Sequence, residues 1–139
     1  MTGKEVHILL VEDDEIDVMA IRRALKKTKI ANPLHLAKDG VEALEKLRAG
    51  TIPSPHVVLM DLNMPRMDGI TCLEEIRTDK NLKQTIVFIL TTSKDQEDKI
   101  KAYNHNVTGY IIKSEVADGF IKTLQMLNYY FNVVELPDQ

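Results

Sequence analysis

Five short apolar runs limit what this chain can fold into: residues 6–11, 34–37, 57–60, 86–90 and 110–112. Runs with so little polar alternation fit strands of a sheet covered on both faces. Amphipathic stretches separate them. Residues 14–29 carry Val18, Ile21 and Leu25 on one helical stripe, and Asp39-Gly40 precedes Val41, Leu44 and Leu47. Residues 67–79 carry Ile70, Leu73 and Ile76. Residues 93–103 are mostly polar, with Ile100 and Tyr103 as apolar anchors and Ser93 with Gln96 as a capping box. Residues 117–131 carry Phe120, Leu124, Leu127 and Phe131. The pattern is strand then helix, five times over. With right-handed crossovers it predicts an α/β fold, a doubly wound five-stranded parallel sheet. Asn32-Pro33 and Pro53-Ser54-Pro55 mark turns ahead of the second and third strands.

The polar residues at the ends of these runs favour one strand order. The first run ends in Glu12 and Asp13, the third in Asp61, the fourth in Thr91 and the fifth in Lys113. Open α/β sheets bind ligands at the carboxyl ends of their strands, where the chain switches direction. The order 2-1-3-4-5 makes the first and third strands neighbours, so Glu12 and Asp13 face Asp61 across that crevice. Three close carboxylates repel one another, and a divalent cation relieves the repulsion. An all-oxygen set without Cys or clustered His points to Mg²⁺, with Mn²⁺ as a substitute. Asp61 is then placed to attack phosphorus as a carboxylate nucleophile. Lys113 supplies an ammonium and Thr91 a hydroxyl for the phosphoryl oxygens. Asp14 reads as a helix cap or a supporting acid.

Bulk properties exclude several classes. A chain of 139 residues, 44% hydrophobic and 28% charged, reads as one soluble domain. A net charge of -3 argues against nonspecific nucleic-acid binding. No apolar run approaches the roughly 20 residues of a membrane span, and the first residues do not resemble a secretory leader, so a cytoplasmic protein is expected. The single Cys72 excludes an intramolecular disulfide and reads as a small buried filler. His7, His35, His56 and His105 share no ligand spacing and read as structural.

Several motifs carry a resemblance. Leu10-Val11-Glu12-Asp13-Asp14, Met60-Asp61-Leu62-Asn63-Met64-Pro65 with Asp68-Gly69, Leu90-Thr91-Thr92-Ser93 and Gly109-Tyr110-Ile111-Ile112-Lys113 together resemble the receiver domain of two-component response regulators. The resemblance implies the flavodoxin-like, CheY-like fold over residues 1–131, followed by a tail over 132–139. It implies that Asp61 accepts a phosphoryl group from a phosphohistidine on a sensor histidine kinase, and that the phosphoprotein signals by a change of surface. It implies Mg²⁺ ligation by Asp13, Asp61 and the main-chain carbonyl of Asn63, with Glu12 acting through water. Thr91 and Lys113 match the two residues that grip the phosphoryl group, and Tyr110 matches the aromatic switch. A narrower set is similar to single-domain regulators that partner bacterial phytochromes: Glu12-Asp13-Asp14 with Asp17, the Leu90-Thr91-Thr92-Ser93 run, Tyr103, and the ending Tyr129-Tyr130-Phe131 with Leu136-Pro137. The apolar ending also predicts a symmetric homodimer built on the last helix, the last strand's edge or the tail.

Two positions depart from the family pattern. Ser114 stands where a proline usually follows the lysine, and Thr92 where a smaller residue usually follows the switch threonine. Rival chemistries fit less well. A phosphatase of the haloacid dehalogenase type needs an acid two residues after the nucleophile, where this chain has Asn63, so turnover of external substrate is not expected. A flavin carrier needs a hydroxyl- and glycine-rich loop where this chain has Glu12-Asp13-Asp14-Glu15. No P-loop is present. The surviving alternative is a phosphate sink or relay intermediate that passes its phosphoryl group to a histidine phosphotransfer protein.

Overall fold

The computed structural model describes residues 6–27, 32–62, 64, 66–91, 106–112, 122, 125, 126 and 129. Their elements run β1 (His7–Val11), α1 (Glu15–Lys27), β2 (Leu34–Ala37), α2 (Gly40–Arg48), β3 (His56–Asp61), α3 (Gly69–Thr78), β4 (Ile86–Thr91) and β5 (Gly109–Ile112). The strands form one parallel sheet in the order β2-β1-β3-β4-β5, as the polar strand ends predict. The expected fourth and fifth helices, over 93–103 and 117–131, lie wholly or largely outside the described residues.

Alternation along the strands divides the core in two. Ile8, Leu10, Val57, Leu59, Phe88 and Leu90 meet Ile21 and Leu25 of α1 on one face. Leu9, Val11, Val58, Met60, Val87 and Ile89 meet α2 and α3 on the other. Fully burying an aliphatic side chain of this size contributes about 1.5–3 kcal/mol before entropy is counted. The sheet is therefore pinned from both sides, and its register is set by the alternation itself.

The helices begin where short acids can satisfy their free amides. Asp14 Oδ1 accepts from the Ile16 amide at 2.8 Å, which makes it the cap of α1. Asp39 and Asp68 cap α2 and α3 in the same way, accepting from the amides of Glu42 and Thr71 at 2.9 and 2.8 Å. Each of these two is followed by a glycine that packs tightly. A Cβ on Gly40 would lie 3.0 Å from Cys72 Cβ and from Met67 Cγ. The expected stripe of α2 keeps Leu44 and Leu47 and gains Gly40 and Ala43 in place of Val41. Gly40, Ala43, Leu44 and Leu47 are buried, and Val41 is only half-buried. Cys72 is fully buried between α2 and α3, and its burial pushes the thiol pKa up to about 12.

Candidate functional site

The register assembles the site. Val11 pairs with Met60, so Glu12 at the end of β1 stands opposite Asp61 at the end of β3. The amide of Glu12 donates to the Ala37 carbonyl at 2.9 Å, extending the β1–β2 ladder one residue beyond the strand. Glu12 and Asp61 are buried, at 4% and 5% exposure, while Asp13 reaches solvent. One carboxylate oxygen from each of Glu12, Asp13 and Asp61 lies within 4.8 Å of the others. Negative charges at such separations repel one another, most where water is excluded. The donors are all hard oxygens, and two of the three are withdrawn from water. The set fits a divalent cation with oxygen ligation.

Thr91 ends β4 and pairs with Ile112, the last residue of β5. Lys113 and Asn63 lie outside the described residues, as do Thr92 and Ser114, and the side chain of Thr91 is also outside them. Tyr110 sits on β5 beside Ile89, half-buried against the α2–α3 core.

The loop after Asp61 is held at Gly69, part of the quoted motif, and at Arg66, which no motif announced. The Gly69 amide donates to the Leu62 carbonyl at 2.8 Å. A Cβ on Gly69 would come within 2.5 Å of the Asp61 carbonyl oxygen and 2.8 Å of Leu62 Cα, so only glycine fits there. Further along, Arg66 adopts a left-handed backbone, φ 62°. Its guanidinium grips Asp39 with two bonds, Nε to Oδ2 at 2.6 Å and Nη2 to Oδ1 at 3.0 Å. Asp39 is 2% exposed, and the Arg66 bond, helped by the Glu42 amide, holds its carboxyl below the usual range against the cost of burial. One buried carboxylate thus ties the start of α2 to the β3–α3 loop.

Beside the acids lies an open cleft of about 480 Å³, lined by Glu12, Asp13, Val18, Met19, Leu36 and Lys38 among others. Ile16 and Met19 of α1 stand exposed at 76% and 56%.

A family model for the response regulator receiver domain matches residues 8–125. This chain belongs to the response regulator receiver family. Its relatives include the response regulator Rcp1 of Synechocystis sp., 34% identical over 135 residues that span 94% of this chain and 92% of Rcp1. The Mn²⁺-bound form of Rcp1 superposes with a TM-score of 0.76, covering 96% of this chain and 99% of that one. The phosphorylated cyanobacterial phytochrome response regulator RcpA is 30% identical with a TM-score of 0.78, over 97% of this chain and 99% of that one. The bacteriophytochrome response regulator AtBRR is 31% identical with a TM-score of 0.75, over 98% and 100%. Among the described residues no helix is long and apolar enough to cross a membrane.

Proposed function

We propose that this chain is a phosphoacceptor switch in a two-component system, and that Asp61 is the acceptor. The observation that carries the reading is the convergence of Glu12, Asp13 and Asp61 at the carboxyl edge of β1 and β3. In this reading a carboxylate oxygen of Asp61 attacks the phosphorus of a phosphohistidine on a sensor histidine kinase. The phosphorus–nitrogen bond breaks, its electron pair stays on the imidazole, and an aspartyl phosphate results. Asp13, Asp61 and the Asn63 carbonyl hold Mg²⁺, with Glu12 orienting through water. Bound there, the cation supplies positive charge opposite the phosphoryl oxygens. Lys113 and the Thr91 hydroxyl complete the grip, and Tyr110 follows Thr91 inward as the switch. The protein phosphorylates and dephosphorylates itself and does not turn over an external phosphoester.

The names of its relatives support a finer reading. Rcp1 is a response regulator whose structure has been solved with Mn²⁺, RcpA is a cyanobacterial phytochrome response regulator and AtBRR a bacteriophytochrome response regulator. The proposed donor is therefore a bacteriophytochrome kinase, and the proposed unit is a cytoplasmic receiver over 1–131 with a tail over 132–139. The described positions of the last stretch support a homodimer: Met126 and Tyr129 are 61% and 71% exposed.

The deciding experiment incubates the protein with acetyl phosphate and Mg²⁺, then with a candidate phytochrome kinase. Label should map to Asp61 and vanish in Asp61→Asn. Full labelling of Asp61→Asn at another residue would refute the assignment.

A further inference from the structure

Three histidines far apart in sequence gather at the amino edge of the sheet, the edge opposite Asp61. His7 opens β1 and pairs with His56, which opens β3, while His35 of β2 pairs with Leu9. Strand alternation puts all three on the face of Leu9 and Val58, toward α2 and α3. His7 and His35 are half-buried and His56 is buried. The rings of His7 and His35 lie 5.2 Å apart at 26°, and His7 Nδ1 is 3.0 Å from His35 Nε2. Two neutral imidazoles at that distance share one proton, with one nitrogen donating and the other accepting.

We propose that His7 Nδ1 and His35 Nε2 form a two-ligand site for a divalent transition metal of the zinc, copper or nickel class. A metal about 2.0–2.1 Å from each nitrogen, at the present separation, would subtend an angle of about 95°. The rings now face each other head to head, so reaching the tetrahedral angle takes an opening of roughly 0.3 Å and a turn of about 35° at each ring. Imidazole nitrogen suits these metals, whereas Mg²⁺ prefers oxygen. The two ends of the sheet therefore select different cations. β2 is an edge strand, so water can reach the pair and fill the remaining positions. Among the described residues the one group of three mutually close ligands is Glu12, Asp13 and Asp61, so the histidine site offers two protein ligands.

The surroundings of His35 favour the neutral ring, the form that ligates a metal. Burial first, then His7 and Lys46, hold the His35 pKa low, and burial holds that of His56 low. Lys46 donates to the Leu36 carbonyl and lies 3.8 Å from Glu42, so its like charge weakens binding without abolishing it. Occupancy would clamp β2 to β1 and stabilise the folded state by mass action.

Zinc is the probe, added with Mg²⁺ at saturation so that the carboxylate end is filled. In the wild type, zinc should shift the ring-nitrogen NMR resonances of His7 and His35 and raise Tm by a few degrees. His7→Gln and His35→Gln should each reduce zinc affinity at least tenfold, and Lys46→Gln should strengthen it. Labelling of Asp61 by acetyl phosphate should be unchanged in His7→Gln. Unmoved His7 and His35 resonances in the wild type would overturn the proposal. So would undiminished zinc binding in both folded histidine variants, which would place the ion among the carboxylates.

Discussion

Gly69 shows how one residue can govern the site without touching a ligand. Its missing side chain lets the start of α3 close to within 2.5 Å, measured from a built Cβ, of the Asp61 carbonyl. Gly69→Ala must push that backbone away. Overpacking of this kind costs about 1–3 kcal/mol. Urea unfolding should report that loss, and acetyl phosphate labelling of Asp61 should slow. Normal stability with normal labelling would contradict the close approach. Asp39 makes a second case. Its carboxyl is held below the ordinary range by Arg66, so the charged form is favoured in the folded protein. Its stabilising contribution is complete above the unfolded carboxylate pKa and is lost as the pH falls through the lower, folded value. Wild type should therefore lose more stability between about pH 5 and pH 3 than Arg66→Ala does. Asp39→Ala, which removes the α2 cap as well, should cost about 1 kcal/mol from the cap alone at neutral pH. Parallel pH-stability curves for wild type and Arg66→Ala would refute the pairing.

At the scale of elements, α1 carries two jobs on two faces. Ile21 and Leu25 enter the core, and Ile16 and Met19 stand in solvent beside the acidic cleft. An exposed Ile next to an exposed Met contributes nothing to folding, and such patches mark interaction surfaces. Ile16→Glu should slow phosphotransfer from a kinase by tenfold or more while sparing acetyl phosphate. Equal loss with both donors would mean damage to the site instead. The helices α2 and α3 share a design: an Asp cap followed by a glycine that permits close packing. The cap at Asp14 was legible from sequence, whereas the caps at Asp39 and Asp68 came from the structure. The exact stripe of α2 was only partly legible, since helix rotation is decided by the neighbour. The contact at Gly40 turns Ala43 inward and leaves Val41 half-exposed.

For the whole molecule, the proposed homodimer is the feature most open to test. Lys122, Gln125, Met126 and Tyr129 are helical and exposed, and their spacing puts them on one helical face. Aromatic and Met side chains are enriched at interface cores. Wild type should sediment as a dimer at tens of micromolar. Removing residues 132–139 and replacing Met126 and Tyr129 with Ser should shift it toward the monomer, with Asp61 labelling intact. A monomeric wild type, with and without a phosphoryl mimic, would defeat the prediction.

The amino-acid sequence by itself determined the strand–helix alternation and the polar residues that end the strands; the clustering of those ends favoured the order that brings Glu12 and Asp13 beside Asp61, and the strand pairing decided it. The alternation and the strand ends follow from information carried locally: apolar runs, a period of two or of 3.6, and polar residues at strand ends. Parallel strands in register then bring those ends to one edge whatever the loops do. Only the tertiary structure decided which distant side chains touch. Asp39 meets Arg66 across 27 residues, and His7 meets His35 across 28. No spacing rule links either pair, because the contact depends on register between strands, rotation of α2 and the left-handed backbone at Arg66. The histidines read singly as structural residues. They become a pair because β1 and β2 lie side by side and turn both rings to the same face.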